Sequence, residues 1–224
     1  ELNREEGITL IMVTHDPNLK QYAERVIHLR DGKISRIEVV NAMKRRAALI
    51  PQAQGDVLEI GIGTGLNLAY YDKTRVTRIT GVDPAAQMQA LARQRSLDIG
   101  IPVDMVAVDV RGIHADAGRF DTIVMTFTLC SIEDPIPALR EMKRVLGDGG
   151  RLLFCEHGLA TEQGVKAWQH CLTPWWKPLA GGCHLNRDIP ALIQEAGFVI
   201  ERLDTGYIKG PRPMTFLYEG VAIK

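Results

Sequence analysis

The sequence predicts an α/β protein built on a mostly parallel sheet, and three observations predict it. Short apolar runs alternate with helical stretches from Val57 to Cys155, an order that demands parallel strands with helices on the sheet faces. Glu59–Gly65 reads EIGIGTG, a strand entering a glycine-rich turn where the backbone can approach a ligand. Two late apolar segments, Phe198–Asp204 and Thr215–Ile223, read as a closing antiparallel pair.

Each element has its own signal. Val39, Val40, Met43, Ala47 and Ile50 share one face of a helix over 39–50. Its Lys44, Arg45 and Arg46 read as a solvated side, or as a contact to an anionic substrate or lipid. Val57–Gly61 is the first core strand, and Leu66–Tyr71 opens a helix whose start supplies unpaired N–H groups. Arg78–Asp83 is the second strand, followed by a helix from Pro84 to about Arg95. Val103–Ala107 is the third strand and Phe120–Phe127 the fourth. Pro137–Val145 is a helix stopped by Gly147–Gly150, and Arg151–Cys155 is the fifth strand. An insertion, His157–Ala191, holds all three tryptophans, Trp168, Trp175 and Trp176. Aromatics this dense suggest a lid or an acceptor pocket, with packing on the sheet edge as the plainer reading. Asp188–Ala196 is the last helix, and Gly197 stops it.

Composition narrows the function. A chain of 224 residues, 46% hydrophobic, supports one substantial core and a small appendage. Lys plus Arg and Asp plus Glu each number 27, so no basic face for nucleic acid is expected. No apolar run reaches the roughly eighteen residues of a membrane span, and ELNREEG does not resemble a signal peptide. Cys130, Cys155, Cys171 and Cys183 are too scattered for a secreted disulfide framework, which predicts a reduced, cytoplasmic protein. They also lack the paired spacing of a zinc site, so no metal is expected.

Residues 1–37 read separately. Ile8–Thr14 is a strand, Asp16 and Pro17 start a helix running to about Glu24, and Val26–Leu29 and Ile34–Ile37 flank a hairpin turn at Arg30–Lys33. The stretch GITLIMVTHDPNLKQYAERVIHLRDGKI resembles the C-terminal part of an ABC-transporter ATPase of the lipoprotein and macrolide exporter type. In that family the histidine at the place of His15 senses the γ-phosphate of ATP. The chain has no phosphate loop and no metal-holding aspartate strand ahead of His15, so no ATP hydrolysis is expected. The fragment reads as non-catalytic, a fusion or start-site remnant, with a regulatory or dimerising role as the alternative. The chain is expected to be a monomer or homodimer.

The spacing Gly61-x-Gly63-x-Gly65, with Glu59 before it, departs from the dinucleotide pattern G-x-G-x-x-G. It resembles motif I of class I S-adenosylmethionine-dependent methyltransferases. That resemblance implies a Rossmann-like fold with a mostly parallel seven-stranded sheet over residues 38–224. It implies S-adenosylmethionine as cofactor and S-adenosylhomocysteine as product. Glu59, Gly61, Gly63 and Gly65 would meet the methionine moiety. Asp83, with Pro84 and Met88 after it, would hold the ribose hydroxyls. Asp109 would meet the adenine amino group, Val110 would lie near the ring, and Thr126 and Leu129 would complete the cofactor site.

Later segments are similar to the small thiol S-methyltransferases called methyltransferase-like proteins in animals. The matching pieces are Leu129-Cys130-Ser131, Glu156-His157, Trp168-Gln169, Pro174-x-Trp176-Lys177, Gly182-Cys183-x-Leu185-x-Arg187 and Gly210-Pro211. The animal enzymes carry an N-terminal hydrophobic anchor where this chain has the transporter-like fragment. The resemblance implies methyl transfer to a small thiol or hydrogen sulfide by in-line displacement, in which orientation does much of the work. One base suffices, and His157 and His184 are the candidates. Glu156 would orient His157 or meet a backbone group. Cys130, Trp176, Cys183 and Arg187 would line the acceptor pocket, Trp176 as an apolar wall. Arg187 would attract a thiolate or pair with the last helix. A small-molecule O- or N-methyltransferase of quinone or phospholipid precursors, an arsenite methyltransferase and a non-catalytic cofactor-binding scaffold are the alternatives. TFTLCS after the fourth strand lacks the motif of nucleic-acid methylation. The expected partner is a small-molecule acceptor, with peripheral membrane contact left open.

Overall fold

The structure is a computed structural model that describes residues 25–30 and 33–224. The expected strand at 8–14, the helix at 16–24 and His15 lie outside the described residues. The chain divides after Met43 into two compact units. In the first, β1 (Arg25–Arg30) pairs antiparallel with β2 (Lys33–Val39), Ile27 opposite Ile37. This is the hairpin its sequence predicts.

Helix α1 (Val40–Leu49) leads into the second unit. There follow β3 (Gly55–Ile60), β4 (Val76–Val82), α2 (Ala86–Ser96), β5 (Val103–Val106), β6 (Phe120–Thr126), α3 (Pro135–Val145) and β7 (Leu146–His157). Then come α4 (Gln163–Leu179), α5 (Ile189–Glu195), β8 (Val199–Tyr207) and β9 (Phe216–Ile223). The strands form one seven-stranded Rossmann-like sheet in the order β5-β4-β3-β6-β7-β9-β8. All neighbours run parallel except β9, which is antiparallel to both β7 and β8.

The central strands are continuous apolar runs because both their faces are covered. Leu58, Ile60, Ile123, Met125, Leu152 and Phe154 are at most 2% exposed. Ala138, Leu139, Met142 and Val145, spaced three and four apart, put one stripe of α3 against them. Strand β3 pairs with β4 on one side and β6 on the other. The chain reverses its direction of travel across the sheet there, and in open α/β sheets ligands bind outside the carboxyl ends of the strands at that point.

Three features differ from the sequence reading. The helix expected at 66–71 is only a 3-10 turn, Leu68–Tyr70. Leu68 and Tyr71 are drawn into the interior, and a turn at Asp72, whose carboxylate accepts from Thr74 N at 2.8 Å, sends the chain directly into β4. The crossover from β5 to β6 likewise carries only a 3-10 turn, Val110–Gly112. It leaves a hollow of about 360 Å³ on the sheet face beside Thr80, Val82, Val106 and His114. About half of the tryptophan-rich insertion, with all three tryptophans, is one helix, α4, despite Pro174 and Pro178 within it. Proline disfavours a helix interior; the helix is tied to the body of the unit upstream of both prolines by buried Gln169. Its amide nitrogen donates to Gly158 O at 3.0 Å and Pro213 O at 3.1 Å, and its oxygen accepts from Ala160 N at 2.8 Å. Among the described residues no helix is long and apolar enough to cross a membrane.

Candidate active site at the carboxyl ends of the strands

The glycine turn is closed by its own backbone and by Asp83. Gly61 N and Ile62 N donate to Val82 O at 2.8 and 3.2 Å, which ties β3 to β4 where both end. Asp83 accepts from Gly63 N at 2.9 Å and from Ala85 N at 2.8 Å. Each carboxylate oxygen thus keeps a lone pair for a further donor. Gly61 adopts φ +69°, and a Cβ there would run into the Thr128 side chain. That hydroxyl donates to Ile60 O at 3.2 Å, across the point where β3 and β6 diverge. Gly63, at φ +51°, has only Gly61 O and Asp83 Oδ2 within 4 Å of the place a Cβ would take, so its face is open beside the acid. An open glycine face next to an acid with spare acceptors fits the ribose and methionine moiety of S-adenosylmethionine. Met88 and Asp109 are exposed farther along this rim, Pro84 is exposed after Asp83, and Val110 is buried.

Glu59 lies behind the turn, 1% exposed. It accepts from Asn67 Nδ2 at 2.9 Å and Tyr71 Oη at 2.8 Å. Asn67 also donates to Thr126 Oγ1 at 3.0 Å and accepts from Arg46 Nε at 2.9 Å. Burial pushes the Glu59 carboxyl up to about 7, against the hydrogen bonds from Tyr71 and Asn67. Glu59 and Thr126 are therefore parts of a buried network that shapes the turn. Sequence reasoning missed Asn67, Tyr71 and Arg46, the last of which it assigned to a solvated side. It also missed Gln89, whose amide donates to Asp83 O and Val106 O, both at 2.9 Å, and so joins the ends of β4 and β5. Polar residues that close buried networks leave no periodic signal.

The exit of β6 is held by β7. Phe127 has φ +55°, the only non-glycine residue with positive φ among those described, a conformation that needs support from its surroundings. Glu156, fully buried, supplies it. Its carboxylate accepts from Thr128 N at 2.9 Å, from Leu129 N and from Cys130 N at 3.4 Å. The carboxylate thus spans the backbone of the β6 exit, the second of the two roles expected for it. Leu129 is fully buried in the core. Arg187 donates to Leu129 O and, at 3.4 Å, to Glu133 O, so it braces the same turn from the other side.

Cys130, His157, Trp176 and Cys183 meet on this turn. Cys130 and Cys183 are buried neighbours, and the Cys130 sulfur lies 3.6 Å from the Ser131 hydroxyl oxygen. Cys130 lowers the pKa of the Cys183 thiol more than any other neighbour; burial opposes the shift, and a hydrogen bond from His157 adds to it. The Cys130 thiol moves the other way, through Cys183 and burial. Cys130 and Cys183 thus shift in opposite directions, with Cys183 the readier of the two to ionise. The His157 ring packs edge-on to Phe127 at 5.2 Å. His184 is anchored by its backbone N to Cys130 O at 2.8 Å and by Nδ1 to the same oxygen at 3.1 Å. In the neutral ring this places the proton on Nδ1 and leaves Nε2 as acceptor. The Trp176 indole N–H lies beside the Cys183 sulfur without reaching hydrogen-bond geometry, and it is the one buried side-chain donor left unpaired among the described residues. Alkylation of Cys183 by iodoacetamide, followed by peptide mass spectrometry, is expected to stay fast well below the usual thiol range near pH 8.5. In Cys130→Ala the inflection moves up toward that range; an unmoved inflection would show that Cys130 does not hold the charge. No group of three or more metal-ligating side chains occurs among the described residues.

The glycine turn, the acid after β4 and the strand order define a class I S-adenosylmethionine-dependent methyltransferase. A family model described as a methyltransferase domain matches residues 34–203, and the chain belongs to that family. It is similar to the thiol S-methyltransferase TMT1B of Rattus norvegicus, 35% identical over 149 residues, covering 63% of this chain and 59% of the rat protein. The chain thus spans about three fifths of that relative's length. A stretch of 46 residues, 20% of this chain and 9% of the other, is 59% identical to ABC transporter H family member 2 of Dictyostelium discoideum. The solved structure of a SAM-dependent methyltransferase from Methanosarcina mazei superposes with a TM-score of 0.61 at 20% identity, over 77% of this chain and 93% of that one, which shows the shared fold.

Proposed function

We propose that this chain methylates a small thiol or hydrogen sulfide, with His157 as the base. The observation that carries the reading is the unpaired, buried Trp176 N–H beside the Cys183–His157 contact. A pocket that combines an unused donor with an imidazole and sulfur neighbours suits a soft anion such as a thiolate. The 35% identity to a thiol S-methyltransferase supports the same acceptor class. Bound S-adenosylmethionine supplies an electrophilic methyl group on a sulfonium. Asp83 and the glycine turn hold the cofactor, His157 accepts the acceptor's proton at an imidazole nitrogen, and the Trp176 N–H steadies the thiolate. The β6 exit, fixed by Glu156 and Arg187, sets the line of approach on which a displacement depends.

The test offers labelled cofactor with sulfide, a short alkyl thiol, a dithiol, arsenite, a phenol, an amine and a phospholipid. Transfer to sulfide and thiols is expected. Transfer only to oxygen, nitrogen or arsenic acceptors would discard the reading. His157→Ala is expected to lower kcat roughly 100-fold or more at neutral pH and to leave cofactor affinity within about twofold. The deficit should shrink as pH rises past the acceptor's own pKa, about 8.5 for a cysteine-like thiol, because the acceptor then ionises unaided. A deficit constant with pH would remove His157 from the base role.

A further inference from the structure

The outer side of α4 is apolar and open. Trp168, Cys171, Pro174, Trp175, Pro178 and Leu179 recur at spacings of three and four, which places them along one side of the helix, and all six are exposed. Trp168 is 62%, Trp175 76% and Leu179 84% exposed. These large side chains stay in water on a helix whose other side is anchored by Gln169. The charge of the segment is as distinctive. Residues 163–187 contain no Asp or Glu but hold half-buried Lys166 and exposed Lys177, with Arg187 turned inward to Leu129 O, in a chain whose acidic and basic residues balance overall.

We propose that α4 docks in the plane of an anionic lipid surface, with Trp168, Trp175 and Leu179 inserted. Indoles favour the headgroup level, and Lys166 and Lys177, more than a quarter-turn round the helix from Trp168 and Trp175, add positive charge above the inserted side, on stems long enough to reach toward lipid phosphates. Negative surface charge is the complement of an acid-free basic segment. A second copy of this chain, with no net charge, offers no such excess. The inner side of the same helix carries Trp176 at the acceptor pocket, so docking brings that pocket to the boundary where apolar small molecules concentrate. The proposal does not depend on which atom accepts the methyl group.

The test mixes the full chain with vesicles of phosphatidylcholine alone, or of phosphatidylcholine with phosphatidylserine, and reads flotation and tryptophan fluorescence. Wild type is expected to float with the anionic vesicles, with blue-shifted emission quenched by brominated acyl chains. Trp168→Ala/Trp175→Ala is expected to lose roughly 100-fold or more in partitioning, since each buried aromatic is worth about 1.5–3 kcal/mol. Lys166→Gln/Lys177→Gln is expected to weaken binding to anionic vesicles alone, by roughly 5-fold per lysine. Both variants should keep the wild-type melting temperature, cofactor affinity and turnover of a water-soluble acceptor, which separates this result from that of the acceptor panel. Three outcomes would overturn the proposal: no vesicle binding by wild type, equal binding by the tryptophan variant, or a dimer that the tryptophan variant dissociates without any lipid binding.

Discussion

Glu156→Ala is expected to destabilise the protein by about 3 kcal/mol or more, measured by denaturant unfolding. The substitution takes the acceptor from three backbone N–H groups, at part-buried Thr128 and at buried Leu129 and Cys130, and each unsatisfied buried donor costs about 1–3 kcal/mol. It also removes the support of Phe127 in its left-handed conformation. Glu156→Gln keeps one acceptor oxygen and should lose less. Burial pushes the Glu156 carboxyl up to about 7 from 4.5, ahead of the opposing backbone hydrogen bonds. A group that binds its proton more tightly when folded contributes stability fully present below its unfolded pKa and lost as pH rises through the folded one. Wild type should therefore gain on Glu156→Gln as pH falls from about 7 toward 4.5. A stability difference flat across that window would contradict the assigned burial.

Asp83→Ala is expected to weaken S-adenosylmethionine binding at least about 100-fold by calorimetry. Two hydrogen bonds from ribose hydroxyls to a charged acceptor are worth about 1.5–3 kcal/mol each. The substitution also takes the acceptor from Gly63 N and Ala85 N, loosening the turn itself. Asp83→Asn, which keeps the shape without the charge, should fall between wild type and alanine. The exposed rim residue Met88 provides a contrast, since Met88→Ala removes no charged acceptor and should change affinity far less. A loss under twofold for Asp83→Ala would move the ribose elsewhere in the site.

The sheet was legible because its signals are local. Unbroken apolar strands, glycine turns and the paired closing strands each declare themselves over a few residues. Asp83 was legible because a strand end fixes its position relative to the turn. Helix α4 was obscured by Pro174 and Pro178, which lie within it although proline disfavours a helix interior. Arg46, Asn67 and Gln89 were obscured for the opposite reason. They look like surface residues, and only the fold shows that each completes a buried network. The split placement of the tryptophans, Trp176 turned toward Cys183 and two outward, depends on the helical phase of a segment that did not read as a helix.

The placement of β9 constrains how the sheet assembles. Strand β8 is synthesised first, yet its only neighbour in the sheet is β9. Until Phe216–Ile223 pairs with β7, with Arg151 opposite Ile223, the edge of β7 has no partner on that side and β8 has no place to add. Strand β8 therefore joins the sheet only through β9, the strand made after it. Such distant pairing is slow because loop closure must precede any reward from contacts. The last folding step of this protein is expected to be the joint arrival of β8 and β9, after the cofactor half of the sheet has formed.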